Sequence, residues 1–168
     1  MLTEIIALER GYTPAKARMI RNAAALHDIG KQKIDSRILN KQGKLTHKEF
    51  EIMKNHTWLG AKMLESIKGE QGELTRLCCY FHHEWYNGRG YWNVPANFLP
   101  EFISFVSIAD VYTALVVERS YKSALPQDEA LKYIQNQAGT QFCPELVSDF
   151  IWLIRNDKRV PAIFPGGD

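Results

Sequence analysis

Apolar residues recur three or four positions apart along most of the chain, and the strict alternation typical of strands is almost absent. The first stripe, over residues 15–29, follows Thr13-Pro14, which suits an N-cap and a first helical residue, and it ends at Gly30. A second stripe, over residues 46–67, opens with a Thr-x-x-Glu capping-box pattern. These patterns predict two helices joined by a loop over residues 31–44.

Four more helices are predicted further along the chain: residues 73–85, residues 100–117, a helix opening within residues 125–129 and a helix opening at residues 144–145. The segment 100–117 is apolar nearly all round, as expected for the central element of a bundle. Glycine, asparagine and proline fill residues 87–100 and predict a long irregular loop, a kind of segment that often carries function. The fold class predicted is all-α, a helical bundle.

The chain of 168 residues is long enough for one domain with its own core, which we place at about residues 15–154, and the tail 161–168 is expected to be loose. Apolar residues make up 45% and charged residues 24%, which excludes disordered and fibrous classes. The net charge of +2 gives no general attraction to DNA, RNA or an anionic membrane.

Two acidic residues in the first ten argue against a signal peptide, and Asp110 within the most apolar run argues against a membrane span. Three cysteines form neither a disulfide framework nor a paired zinc motif, and we interpret the adjacent Cys78 and Cys79 as small packing residues. A reducing, cytoplasmic setting is therefore expected.

Several polar side chains fall where a core residue is expected. His56, His82 and Asp110 lie on the apolar stripes of three different predicted helices. They also belong to a set whose successive members are 26 to 29 residues apart: His27, His56, His82-His83 and Asp110. In an antiparallel bundle such a spacing takes the chain one helix away and one helix back, so these groups would meet at one level. Buried imidazoles and carboxylates need a partner, and a metal ion satisfies them together. Without a thiolate, the set suits iron, manganese or zinc.

A single inward histidine is more often a hydrogen-bonded core residue than a ligand, so the metal hypothesis depends on the whole set. His47 provides the contrast, since it lies in the first turn of its predicted helix among polar neighbours. We assign His47 no functional role.

Seven short segments occur in an order that is highly specific. They are His-Asp-Ile-Gly-Lys at 27–31, Lys54-Asn-His56 followed by Gly60, His82-His83-Glu84, Gly88-Arg-Gly90-Tyr91, Ala109-Asp110, Arg119-Ser-Tyr121-Lys122 and the segment 139–146. In this order they resemble the HD-GYP branch of the HD-domain phosphohydrolases, over about residues 15–154.

The resemblance implies a helical, metal-dependent phosphodiesterase that hydrolyses cyclic di-GMP, or a related cyclic dinucleotide, to a linear dinucleotide or GMP. It implies divalent metal ions at two or more sites, with iron or manganese expected, held by His27, Asp28, His56, His82, His83 and Asp110. Asp28 would be the bridging carboxylate, and Lys31 would lie near the scissile phosphate. Two cations would acidify a bridging water and neutralise phosphate oxygens during in-line attack.

The same resemblance assigns Tyr91, Arg119 and Lys122 to the substrate. The ring of Tyr91 could stack on a guanine, while Arg119 and Lys122, three residues apart, would hold the second phosphate. Basic residues are common on any solvent-facing helix, so a purely structural role for this pair stays open. A regulatory domain or a second copy of the chain is a further candidate partner.

Two departures from the family pattern change what is expected. Trp92 replaces the proline of the GYP motif, which removes a residue that restricts the backbone. The family also carries an upstream helix with a histidine, and in some members a glutamate, 30 or more residues before the His-Asp pair. Only 26 residues precede His27, and none is histidine. We expect either a fragment cut inside the domain or a natural member without that helix.

Three functional hypotheses follow. The first is the cyclic-dinucleotide phosphodiesterase, and the second is a catalytically impaired signalling or binding module that lacks the upstream ligands. The third, an HD-type hydrolase of another nucleotide or phosphoester, is disfavoured by the matches at Tyr91 and Arg119.

Overall fold

A computed structural model describes residues 1–118 and 123–160. Within those ranges the chain is all-α, as predicted, and contains one isolated bridge between Ala138 and Phe142 but no strand. Short 3₁₀ turns lie at Ile29–Lys33 and Ala96–Phe98. The α-helices are α1 (Leu2–Glu9), α2 (Pro14–Ala24), α3 (Ser36–Leu39), α4 (His47–Lys54), α5 (His56–Met63), α6 (Gly69–Phe81), α7 (Phe102–Val116), α8 (Gln127–Asn136) and α9 (Pro144–Asn156).

The predicted helix starts are confirmed where a local signal marks them. The Thr13 side chain accepts a hydrogen bond from the Lys16 amide, and Pro14 is the first residue of α2. At α4, Thr46 and Glu49 form the complete capping box. Each cap satisfies amides that the first helical turn leaves without an internal partner, which is why sequence identifies these positions well.

Two predicted helices end earlier than expected. Helix α2 ends at Ala24, not at Gly30, because the amides of Leu26 and His27 bond to carbonyls three residues back and tighten the chain into turns. The single helix predicted over residues 46–67 is two helices, α4 and α5. The chain tightens in the same way at Asn55, whose amide bonds to the Ile52 carbonyl.

Other boundaries also differ from the prediction. Helix α6 covers Gly69–Phe81, not residues 73–85, so the two adjacent histidines lie in a turn beyond its end. The predicted loop over residues 31–44 contains α3. The hydrophobic pattern predicted no helix at the start of the chain, yet α1 buries Leu2, Ile5 and Ile6 in the core.

Helix α7 is the central element, as predicted. Its buried face includes Phe105, Ile108 and Tyr112, and the Tyr112 ring lies 5.2 Å from that of Phe150 on α9, centroid to centroid. Helices α1, α6 and α8 also pack against α7. Away from this apolar core, α5 packs against α6 and the 3₁₀ turn Ile29–Lys33, and the polar cluster forms where these elements meet.

No helix among the described residues is both long and apolar enough to cross a bilayer. The tail 161–168, predicted to be loose, lies outside the described residues.

Candidate metal centre

Four of the six predicted ligands meet at one point. One ligand atom from each of Asp28, His56, His82 and His83 lies within 4.8 Å of the other three. Asp28 lies in the turn after α2, His56 opens α5, and the two adjacent histidines follow α6. Three chain segments, distant in sequence, therefore converge as the spacing predicted.

The histidine rings are oriented by backbone carbonyls. The Nδ1 atom of His27 lies 2.6 Å from the carbonyl oxygen of Ala24, and that of His56 lies 2.7 Å from the carbonyl oxygen of Met53. The Nδ1 atom of His82 lies 2.9 Å from the carbonyl oxygen of Cys78. A carbonyl oxygen only accepts hydrogen bonds, so each Nδ1 carries the proton that it donates. In the neutral rings, each Nε2 therefore presents a lone pair to the site, as in metal-binding histidines.

These lone pairs face one another and a carboxylate. Nε2 of His56 lies 3.3 Å from Nε2 of His82, and the two atoms lie 3.3 and 3.7 Å from Oδ1 of Asp28. Oδ1 of Asp28 and Nε2 of His27 are buried without a hydrogen-bond partner among the described residues. Such an arrangement is repulsive unless a positive charge lies between the atoms, so the donor set fits a divalent cation.

The remaining two predicted ligands lie on the other side of Asp28. Nε2 of His27 is 3.3 Å from Oδ2 of Asp28 and 3.6 Å from Oδ1 of Asp110. One Asp28 oxygen thus faces His56 and His82 while the second faces His27. This is the placement expected of a carboxylate shared between two cation positions.

Charge in the cluster is strongly coupled. Burial disfavours a charged His27 ring, but Asp110 and Asp28 outweigh burial and raise its pKa to about 10. Burial would raise the pKa of Asp28, but the neighbouring His27, His56 and His82 hold it below its usual range. Burial, together with His82 and His56, lowers the pKa of His83, so that ring stays neutral and able to bind a metal.

Lys31 and Tyr91 border the cluster. The Lys31 ammonium lies 2.6 Å from Oδ2 of Asp28, and the Tyr91 ring centroid lies 4.3 Å from that of His83. Burial, Asp28 and Asp110 raise the pKa of Tyr91 to about 12, so the phenol keeps its proton at neutral pH. A cation and an aromatic hydroxyl are therefore available beside the ligand set.

Glu84 belongs to one of the sequence motifs but was predicted to have no role of its own, and the structure gives it a definite place. It is buried, and its carboxylate accepts hydrogen bonds from the amides of Trp92 and Val94 at 2.7 and 2.8 Å. A Cβ at Gly90 would lie 2.4 Å from the Glu84 Cα, so the loop approaches this turn too closely for any side chain there. The signal available in the sequence was an acidic residue directly after two predicted ligands.

The structure agrees with the predicted placement of some other residues and differs for Phe50. Phe50, expected on a buried stripe, is 41% exposed, and its ring contacts Tyr91 at 5.5 Å. Cys78 and Cys79 are buried free thiols, consistent with packing. His47 is exposed at the start of α4. Arg119 and Lys122, the predicted phosphate-binding pair, lie outside the described residues.

The sequence of the chain is similar to those of known proteins. A family model described as the HD domain matches residues 1–146. A cyclic di-GMP phosphodiesterase from Thermotoga maritima is 38% identical over 95% of this chain and 43% of its own length. A 3'3'-cGAMP-specific phosphodiesterase from Vibrio cholerae is 36% identical over 82% of this chain and 26% of its own length. The chain thus spans less than half of the length of these relatives.

Solved structures show the same fold. A cyclic GMP-AMP-specific phosphodiesterase of Vibrio cholerae aligns with a TM-score of 0.73 and 16% identity, over 98% of this chain and 44% of that one. An HD-GYP-type protein from Bdellovibrio bacteriovorus aligns with a TM-score of 0.71 and 18% identity, over 92% of this chain and 49% of that one.

Proposed function

The chain belongs to the HD-domain family, in its HD-GYP branch, and on this premise we propose that it is a metal-dependent phosphodiesterase that hydrolyses a cyclic dinucleotide. The observation that carries the proposal is the convergence of the His56 and His82 lone pairs on Oδ1 of Asp28. The metal ligands proposed are those predicted from sequence: His27, Asp28, His56, His82, His83 and Asp110. We propose that iron or manganese ions occupy two positions in this cluster.

A divalent cation held there supplies Lewis acidity to a phosphate oxygen and lowers the pKa of the attacking water. The protein's own residues do the positioning. Asp28 places one oxygen toward each side of the cluster, and backbone carbonyls fix three imidazole rings through Nδ1. The Lys31 ammonium, held at Asp28, can also reach a non-bridging phosphate oxygen and offset the charge that develops on it.

We propose cyclic di-GMP as the substrate, with 3'3'-cGAMP as the related ligand to compare. The relatives named above act on these two compounds. Tyr91 lies against His83, so a base stacked on its ring would lie beside the cluster while one phosphate is cleaved. The second phosphate carries one negative charge and needs a cation, which we assign to Arg119 and Lys122.

The test is hydrolysis by the full chain reconstituted with Fe(II) or Mn(II). Chromatography should reveal a linear dinucleotide or GMP formed from cyclic di-GMP. Binding without any product would favour the impaired signalling module, and neither binding nor product would refute the substrate assignment.

Variants locate the ligand contacts. Tyr91→Ala should weaken cyclic di-GMP binding by roughly 1 to 3 kcal/mol, whereas Tyr91→Phe keeps the ring and most of the affinity. Arg119→Ala should cost about 1.5 to 3 kcal/mol as a lost charge-assisted contact. Bis(p-nitrophenyl) phosphate has no base and no second phosphate, so its hydrolysis should respond much less to either substitution. Unchanged cyclic di-GMP binding in both variants would contradict the assigned contacts.

A further inference from the structure

The loop that carries Tyr91 is held from two sides. On one side, the buried Glu84 carboxylate binds the amides of Trp92 and Val94. Between them lies Asn93 with φ of 58°, a left-handed conformation that asparagine tolerates better than most residues. Glu84 therefore fixes the backbone of a tight turn directly after Tyr91.

On the other side, the Trp92 side chain reaches helix α5. Its indole nitrogen donates a hydrogen bond to the Thr57 hydroxyl at 3.1 Å, and that hydroxyl donates to the Lys54 carbonyl at 2.9 Å. A hydroxyl has one proton to donate, and Thr57 uses it on Lys54, so its lone pair is free to accept from the indole. Donor and acceptor are thus matched in a chain of two hydrogen bonds.

The contact ties the loop to a ligand-bearing turn. Thr57 is fully buried and directly follows His56, whose Nε2 faces Asp28. The Lys54 ammonium also donates to the Tyr91 carbonyl at 3.4 Å and lies 5.8 Å from the Trp92 ring centre. The α4–α5 junction is therefore linked to the loop at two successive residues, Tyr91 and Trp92.

Packing alone does not account for this contact. Trp92 is 38% exposed and lies outside the buried core cluster, whereas its indole nitrogen, the only polar atom of the side chain, donates a hydrogen bond to the Thr57 hydroxyl. Trp92 also occupies the position where the family motif has a proline, a residue that would restrict the backbone by its ring. In this chain a side-chain hydrogen bond supplies a comparable restraint.

We propose that the Trp92–Thr57 hydrogen bond is a latch that holds Tyr91 beside the metal centre, and that Trp92 and Thr57 are positioning residues for the cyclic dinucleotide. The inference deepens the proposed function and rests on it for the identity of the ligand. The latch itself is a property of the protein and is measurable without any substrate.

The experiment compares four variants of the metal-loaded full chain. Thr57→Val keeps the size and branching but removes the acceptor, and Trp92→Phe removes the donor but keeps a ring. Thr57→Ser keeps the hydroxyl and should restore wild-type behaviour. Trp58→Phe is the matched control, because the Trp58 indole donates its hydrogen bond to the side chain of Asn55, the residue that precedes α5, and not to the loop.

Amide exchange of residues 88–94 is the first readout. Losing the latch should speed exchange there about fivefold or more in both Thr57→Val and Trp92→Phe, and not in the other two variants. Combining the two substitutions should add little to either one, because both remove the same bond. If exchange in these residues is unchanged by both single variants, or if their effects add fully, there is no latch.

The kinetic readout separates positioning from general stability. The KM for cyclic di-GMP should rise about fivefold in the latch variants, and their kcat/KM for this compound should fall relative to that for bis(p-nitrophenyl) phosphate. Faster exchange with an unchanged ratio would overturn the positioning role. If the wild-type chain neither binds nor hydrolyses cyclic dinucleotides, the proposed function and the positioning role both fail, and amide exchange alone decides whether the latch exists.

Discussion

Helices α4 and α5 are neighbours of eight residues each, and each has a histidine as its first residue, but their surroundings differ completely. Helix α4 has no buried residue and is held by its own capping box. Helix α5 has no side-chain cap, yet it buries His56, Thr57 and two small residues against α6 and the Ile29–Lys33 turn. The comparison shows that tertiary packing, and not the helix itself, buries a histidine beside Asp28 and makes it a candidate ligand.

Small residues allow the close packing of α5. A Cβ at Gly60 would lie 3.2 Å from the Gly30 nitrogen, and one at Gly30 would lie 1.9 Å from the His56 carbonyl oxygen. The turn that carries Asp28 therefore approaches the backbone of His56 directly. Contact between two backbones therefore sets the distance between His56 and Asp28, two of the proposed ligands.

The largest expected difference is between His56→Ala and His47→Ala. Replacing His56 removes a lone pair aimed at Asp28, so phosphodiesterase activity should fall by at least about 100-fold. Replacing the exposed His47 should change the activity by less than about twofold. Steady-state assays of both variants test this prediction. Equal losses of activity in the two variants would contradict the contrast drawn between the two helices.

Gly30→Ala should be strongly destabilising, because the added Cβ meets backbone atoms that cannot move aside. We expect a loss of roughly 3 kcal/mol or more in the free energy of unfolding. Gly43→Ala, in the loop before α4, meets no atom within 4 Å and is strained only by its positive φ, so it should cost about 1 to 2 kcal/mol. Urea titration compares the two variants, and similar losses would show that the backbone contact at His56 is unimportant.

Lys31→Ala should reduce turnover by roughly 10- to 100-fold while the bound metal is retained, since an ammonium is not a metal ligand. Lys33, exposed in the same 3₁₀ turn, is the matched control and should tolerate alanine. Metal content and kcat measured on the same samples test this prediction. Loss of metal in Lys31→Ala would show that the lysine maintains the ligand set instead.

The smallest effect is expected at the α4 cap. Thr46→Ala removes the hydroxyl that accepts from the Glu49 amide and should cost about 1 kcal/mol of stability. Metal content and activity should stay at wild-type levels, because α4 contributes no proposed ligand. Thermal unfolding with a metal assay checks both statements, and a loss of metal would mean that α4 supports the site after all.

The sequence was most informative where the controlling physics is local. Thr13-Pro14 and the capping box at Thr46 identify helix starts because each cap acts within one turn. The register of His56 and His82 with apolar neighbours predicted their burial correctly.

Predictions failed where contacts between segments distant in sequence determine the local structure. The break at Asn55 and the early end of α2 leave little trace in the hydrophobic pattern, although the break directly precedes His56, whose backbone contacts Gly30. Phe50 continued an apolar stripe but is half-exposed, because α4 lies at the surface and buries no residue, although the Phe50 ring contacts Tyr91. The carboxylate of Glu84 binds amides eight and ten residues away, a contact that only the folded loop defines.

Metal analysis of the reconstituted protein tests the central claim most directly. The chain, loaded with Fe(II), Mn(II) or Zn(II) and then desalted, should retain at least about one equivalent of metal by elemental analysis, and His47→Ala should retain as much. His56→Ala should lose most of it. Failure of the wild-type chain to retain any of these cations, or equal retention by His56→Ala, would contradict the assignment of this cluster as a metal centre.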